Sequence, residues 1–160
     1  MVGVKIICVG KMHEKHYISA AAEYVKRLLP LCKLEIEEQA EVKLPDNPSK
    51  AQIEGALSKE AEKIVAAIPK KSYVIAMCIE GKMLSSEDLA HKIETVQTQG
   101  DSKICFIIGS SFGMDESVKK TADLKLSMSE MTFPHHLARV MLLEQIYRAF
   151  QINNGSKYHK

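Results

Sequence analysis

Three stretches of this chain, "VKIICV" (4–9), "YVIAMCI" (73–79) and "KICFII" (103–108), are nearly continuous apolar runs of strand length. A strand with one wet face alternates apolar and polar residues; one that is apolar at successive positions needs cover on both sides. That requirement points to a mostly parallel sheet held between two layers of helices. "KLEIEE" (33–38) does alternate and reads as an edge or half-exposed strand, and "LKLSM" (124–128) is a short fifth candidate.

Helical patterns fill the gaps between these strands. Residues 13–29 set Ile18, Ala21, Ala22, Val25, Leu28 and Leu29 along one face, and residues 49–68 form a charged helix entered through "NPSK". Residues 85–98 open with "SSED", where Ser85 caps the helix and Asp88 returns the capping-box bond. A short helix is expected after Met114, and the longest apolar one covers about 135–152. Strands alternating with helices define an α/β fold, a single domain with helices on both faces of a parallel-rich sheet. A chain of 160 residues suffices to bury such a core.

No run approaches the roughly 20 apolar residues of a membrane span. The N-terminal "MVGVKIICVGKMHEKHY" lacks an apolar signal core with a small-residue cleavage site, so a cytosolic protein is expected. Cys8, Cys32, Cys78 and Cys105 contain no Cys-x-x-Cys pair, and three of them sit in apolar strands. They read as buried, reduced core thiols rather than metal ligands.

Charge is unevenly distributed. Lys5, Lys11, Lys15, Lys26, Arg27 and Lys33 face only Glu14 and Glu23 over residues 5–33, whereas residues 34–68 carry twice as many acids as lysines. Residues 131–160 are basic again through Arg139, Arg148, Lys157 and Lys160 against Glu144 alone. The fold either brings the two basic ends together as a polyanion-binding face or leaves these charges scattered and solvated.

In parallel α/β sheets, ligands bind beyond the carboxyl ends of the strands. Three loops qualify: "EGKMLSS", "GSSFGMD" and "SEMTFPHH". "IIGSSFGM" reads as a phosphate cradle or as a tight strand-to-helix turn, because it has neither G-x-G-x-x-G spacing nor the Lys-Ser/Thr of a P-loop. Gly109, directly after a strand, allows close backbone approach to a flat ligand. In "IEGKMLSS" the simpler reading has Gly81 turning the chain. On the last helix His135 and Arg139 share a face, while Glu144 and Arg148 form an ordinary i,i+4 pair. A cation is disfavoured at a helix N-terminus, which argues for a neutral His135 able to accept a proton. His136 is its equal in this respect. The terminal "YHK" either frays or closes an aromatic and an imidazole over a substrate base.

Together, "EGKMLSSEDLA", "FIIGSSFGMD", "LSMSEMTFPHHLARVMLLEQIYRAFQI" and the final "YHK" resemble the RlmH (YbeA-type) family of SPOUT methyltransferases over essentially the whole chain. The resemblance implies a C-terminal deep trefoil knot within about 103–160 and a homodimer. It also implies S-adenosyl-L-methionine as cofactor, with methylation of N3 of a pseudouridine in helix 69 of 23S rRNA on assembled ribosomes. Membrane and DNA are not expected partners. Carried over by position, the cofactor contacts fall at Met77, Gly109, Met128, Ser129, Glu130, Met131, Thr132 and Phe133. The family usually has Gly-Gly where this chain has Gly109-Ser110; a second glycine needed for positive φ or for very close ligand approach would make Ser110 cost about 1 kcal/mol and weaken cofactor binding.

The implied reaction needs an imide N–H to lose its proton, for which a neutral His is a suitable base. His135 is therefore expected as base or base-positioner and Arg139 as a contact to phosphate or substrate oxygen. Tyr158 and His159, from the same or a second subunit, are expected to stack on or orient the target base, with Arg148 and Lys11 as outlying RNA contacts. Two other readings stay open: a non-enzymatic RNA-binding protein, which would bind RNA without cofactor dependence, and an enzyme acting on another RNA uridine or a tRNA.

Overall fold

The computed structural model describes residues 1–160. Strands β1 (Gly3–Val9), β2 (Lys33–Gln39), β3 (Tyr73–Met83), β4 (Lys103–Ile108) and β5 (Leu124–Ser127) form one sheet in the order β2-β1-β4-β3-β5. Every neighbouring pair is parallel. Helices α1 (Lys15–Leu28), α2 (Lys50–Ala67), α3 (Ser86–Thr98), α4 (Glu116–Thr121) and α5 (His135–Asn153) connect or follow the strands.

The continuous apolar runs are explained by the period-two alternation of strand side chains. Val4, Ile6, Cys8, Ile75, Ile104 and Phe106 point to one face, where they meet Leu28 of α1, Leu89 and Ile93 of α3, and Leu142 and Ile146 of α5. Ile7, Val9, Val74, Ala76, Cys105 and Ile107 point to the other, against Ala61 and Ile64 of α2 and Val118 of α4. The central strands β1 and β4 are thus wrapped on both sides, and the alternating β2 lies at an edge, as its pattern predicts. Ser85 caps α3 as expected: its hydroxyl accepts from Asp88 N–H at 3.0 Å, and the Asp88 carboxylate accepts from Ser85 N–H at 3.3 Å.

Two expectations need correction. "EGKMLSS" is not a loop from its first residue, because β3 runs on to Met83. Its register with β5 slips between Met77 and Lys82, and Gly81 lies flat against β5, where a Cβ would sit 2.7 Å from the Lys125 backbone. Gly81 is therefore needed for close strand approach rather than for a turn. Cys8, Cys32 and Cys105 are buried free thiols, but Cys78 is only partly buried.

Helix α5 is apolar around more than one side because it packs on both α1 and α3 as well as on the sheet. Its first turns are tied to the sheet by Arg139, which is only 4% exposed. The guanidinium donates to Glu38 Oε2 of β2 at 2.5 Å and to the Gly10 carbonyl, just past β1, at 2.8 Å. The same Glu38 oxygen accepts from Met12 N–H at 3.1 Å. Burial pushes the Glu38 carboxyl up, but the bonds from Arg139 and Met12 outweigh it and hold the group below the usual carboxylate range.

Arg139 is buried but Glu38 is more than a third exposed, so solvent screens part of their attraction. Glu38→Gln should therefore destabilise the protein by about 1–2 kcal/mol at pH 7 in urea unfolding, mostly by leaving Arg139 without its anionic partner. Because the carboxyl titrates lower when folded, its contribution is complete above the unfolded value of about 4.3 and fades as pH falls through the folded one. The gap between wild type and variant should accordingly narrow in acid; an equal gap at all pH values would show that Glu38 contributes by shape rather than charge.

Candidate functional site

A cleft of about 740 Å³ opens at the carboxyl ends of β3, β4 and β5, where a parallel sheet presents its loops. Residues 77–80, 108–114, 126–129 and 131–135 line it, together with Lys119 and Ala138. Met77, Gly109, Met128, Ser129, Met131, Thr132 and Phe133 all belong to this wall, whereas Glu130 does not.

The Gly109 turn is a tight hairpin. Ser110 N–H donates to the Gly113 carbonyl at 3.0 Å, and Gly113 N–H returns a bond to the Ser110 carbonyl at 2.9 Å. A Cβ on Gly109 would lie 2.2 Å from the Gly113 oxygen, so no other residue fits there without moving the chain. The positive φ falls on Gly113, at 94°, and Ser110 is not among the residues of positive φ. The serine that replaces the family's second glycine therefore carries no backbone strain, and the positive-φ ground for its expected cost is not met.

The loop after β5 is braced from within. Ser127 Oγ donates to the Ser129 carbonyl at 3.0 Å, and Ser129 Oγ accepts from Met131 N–H at 3.0 Å. This curl leaves Met131 74% exposed at the mouth of the cleft, with Ile79 and Phe112 also half open. The interior is walled by methionines, Phe133 and backbone, and one end holds the Glu80–Lys119 ion pair. Apolar plates near bare backbone suit a flat heterocycle, and an ion pair at one end suits a charged tail. Glu80 and Phe112 fall in two of the candidate loops without having been singled out, whereas Cys78 and Lys119 carried no signal for the site.

His135 begins α5 on the cleft wall, half-buried. Burial, then the neighbouring His136, push its titration below the ordinary imidazole value, and Arg139 adds to this; Glu41 and Glu14 oppose it. The direction agrees with expectation, but burial and adjacent charge are its causes. Glu41, from the acidic middle of the chain, accepts from Ser111 Oγ at 2.7 Å and so links the segment after β2 to the Gly109 turn.

The remaining expected residues lie elsewhere. Arg139 is committed to Glu38 and Gly10 and does not line the cleft. Tyr158 and His159 fold back onto the middle of α5 and the start of α3 instead of fraying. Tyr158 O–H donates to Glu144 Oε1 at 3.1 Å, and the Arg148 guanidinium lies 4.8 Å from its ring centroid. His159 Nε2 is 2.6 Å from Glu87 of α3, and its Nδ1 is 3.1 Å from Arg148. Glu144 and Arg148 form the expected pair at 2.6 Å. Glu144 is nine residues along α5 from His135, about 14 Å of helix, so the tail lies alongside the helix and does not line the cleft of its own chain.

Comparison with known proteins fits this arrangement. The family described as "Predicted SPOUT methyltransferase" matches residues 2–159. A protein of Clostridioides difficile named ribosomal RNA large subunit methyltransferase H is 48% identical over 157 residues, covering 98% of this chain and 99% of its own. Proteins of the same name from Leuconostoc mesenteroides and Streptococcus equi are each 45% identical with the same coverage. Among solved structures, a probable methylase family protein from Haemophilus influenzae aligns with a TM-score of 0.54 at 18% identity, covering 98% of this chain and 70% of that one, a likeness of fold alone. With a family match spanning almost every residue and near-full-length relatives at this identity, the chain belongs to the SPOUT methyltransferases.

Proposed function

We propose that this protein transfers the methyl group of S-adenosyl-L-methionine to N3 of a pseudouridine in helix 69 of 23S ribosomal RNA, acting as a homodimer on assembled ribosomes. The observation that carries the reading is the cleft: a Gly109 turn, a braced Met128–Phe133 loop and a base-competent His135 converge on one space. The name shared by the relatives supports ribosomal RNA as acceptor. The pseudouridine and its position rest on the family resemblance.

When bound, the cofactor supplies an electrophilic methyl on a sulfonium. Met77, Gly109 and the loop from Met128 to Phe133 would hold it, with Glu130 at the outer side of that loop. N3 of the acceptor must lose its proton to attack, and His135 would receive it. Its depressed titration keeps the ring neutral, and so competent, through the neutral range. Arg139 would act from below, by fixing the first turns of α5; contact with phosphate would require it to leave Glu38 and Gly10.

Tyr158 and His159 would serve the cleft of the second copy, since in their own chain they pack on Glu144, Arg148 and Glu87 and do not line the cleft. Arg148 and Lys11 would meet RNA phosphates. The trefoil knot that the family resemblance implies within about 103–160 would fix the cleft loops against one another.

The test is to incubate the protein with methyl-labelled S-adenosyl-L-methionine and ribosomes from a strain lacking the modification, then map the label by mass spectrometry. Label on one helix 69 pseudouridine, lost when that pseudouridine is not made, is the expected result. Label on a different RNA would refute the acceptor. His135→Ala should lower turnover by at least about 100-fold with little change in cofactor affinity; wild-type turnover would remove His135 from the reaction. In the native enzyme turnover should fall as pH drops through the His135 titration, because only the neutral ring accepts a proton.

A further inference from the structure

We propose that His136 is a positioning residue for His135: bonded to Glu14 and packed ring against ring, it fixes the imidazole that receives the substrate proton. The proposal rests on the reading of His135 as the base.

His136 is 8% exposed, and its Nδ1 lies 2.9 Å from Glu14 Oε2. Glu14 is the residue that opens α1, so this bond ties the start of α5 to the start of α1. Successive residues on a helix point about 100° apart, yet the His135 and His136 ring centroids are 4.1 Å apart and tilted by 51°. Two features hold them together: Glu14 on one side and the bare backbone of Gly10 on the other. A Cβ on Gly10 would lie 3.0 Å from His135 Nε2 and 3.4 Å from His136 Nε2.

Both Nε2 atoms are buried without a hydrogen-bond partner. A buried polar atom left without a partner is destabilising, so packing alone would favour an apolar residue at position 136. An imidazole there makes sense if its charge or its bond matters to its neighbour.

The surrounding groups show how. His135 is faced by His136 and Arg139, which oppose a proton on it, and by the carboxylates of Glu41 and Glu14, which favour one. Arg139 is itself paired with Glu38. Glu14 is held down to about 2, first by its own backbone N–H and then by His136, so it remains a carboxylate throughout the working range. A proton on His136 has that carboxylate as a direct partner, whereas His135 has no carboxylate within bonding distance. The pair therefore presents His135 neutral and its ring immobile.

The experiment uses the full-length protein with His136→Gln, which keeps a donor toward Glu14 but no charge, and His136→Phe, which keeps the ring and drops both nitrogens. The His135 titration is followed by imidazole NMR, and kcat/KM for methyl transfer to unmodified ribosomes is measured against pH. The expected result is a His135 midpoint that rises in both variants, with the acidic limb of the rate profile moving by the same amount. A half-unit shift corresponds to about threefold less activity on the acidic side, with the alkaline plateau nearly retained in His136→Gln. An unchanged His135 midpoint in both variants overturns the proposal. A midpoint that moves while the rate profile stays fixed supports the coupling of the two rings and refutes His135 as the base.

Discussion

The buried Arg139 is the constraint on which the geometry of the cleft depends. It joins α5 to the carboxyl ends of β1 and β2 through Gly10 and Glu38, and α5 begins with the histidine on the cleft wall. A cation this deep is held only where its partners are fixed: Glu38 belongs to β2, and Gly10 directly follows β1. The link also explains why a chain with acidic residues in its middle uses them near the site. Glu38 receives Arg139, and Glu41 receives Ser111 of the Gly109 turn. Charge that reads as solubility in the sequence is, at these two positions, the means by which one wall of the cleft is registered against another.

Helix α5 also separates functions along its length. His135 stands at its start, in the cleft, while Arg148, Tyr158 and His159 gather beside its middle around Glu144 and Glu87. The base lines the cleft, whereas the aromatic and cationic groups of the tail lie beside α5 outside it, so one copy does not bring the two sets together. A second copy offering its tail to this cleft would do so, which is the ground for the proposed homodimer.

Much of this was legible in local pattern. Apolar runs of strand length gave the covered sheet, alternation in "KLEIEE" gave an edge, and the Ser85–Asp88 spacing gave a capped helix. The cleft loops were legible because strand ends, glycines and small residues coincide at Gly109 and after β5. Long-range pairing was not legible. The i,i+4 spacing of His135 and Arg139 suggested a shared role, but Glu38 is 101 residues from Arg139 in sequence and Glu14 is 122 from His136. Nothing local distinguishes an arginine that will meet a phosphate from one that a distant glutamate will bury. The continuation of β3 past Ile79 was hidden for a related reason: the slip against β5 interrupts the apolar pattern that marks a strand. The case of Ser110 turned on which residue of the hairpin takes the positive φ, a choice the sequence "GSSFG" leaves open and the structure gives to Gly113.

The account stands on the cleft as the seat of the methyl donor. The most direct measurement is the crystal structure of the protein grown with S-adenosyl-L-methionine. The account predicts the adenosyl group between the Gly109 turn and the loop from Met128 to Phe133, with the sulfonium methyl open toward His135. Cofactor bound at any other surface, or a cleft that stays empty at saturating cofactor, would contradict it.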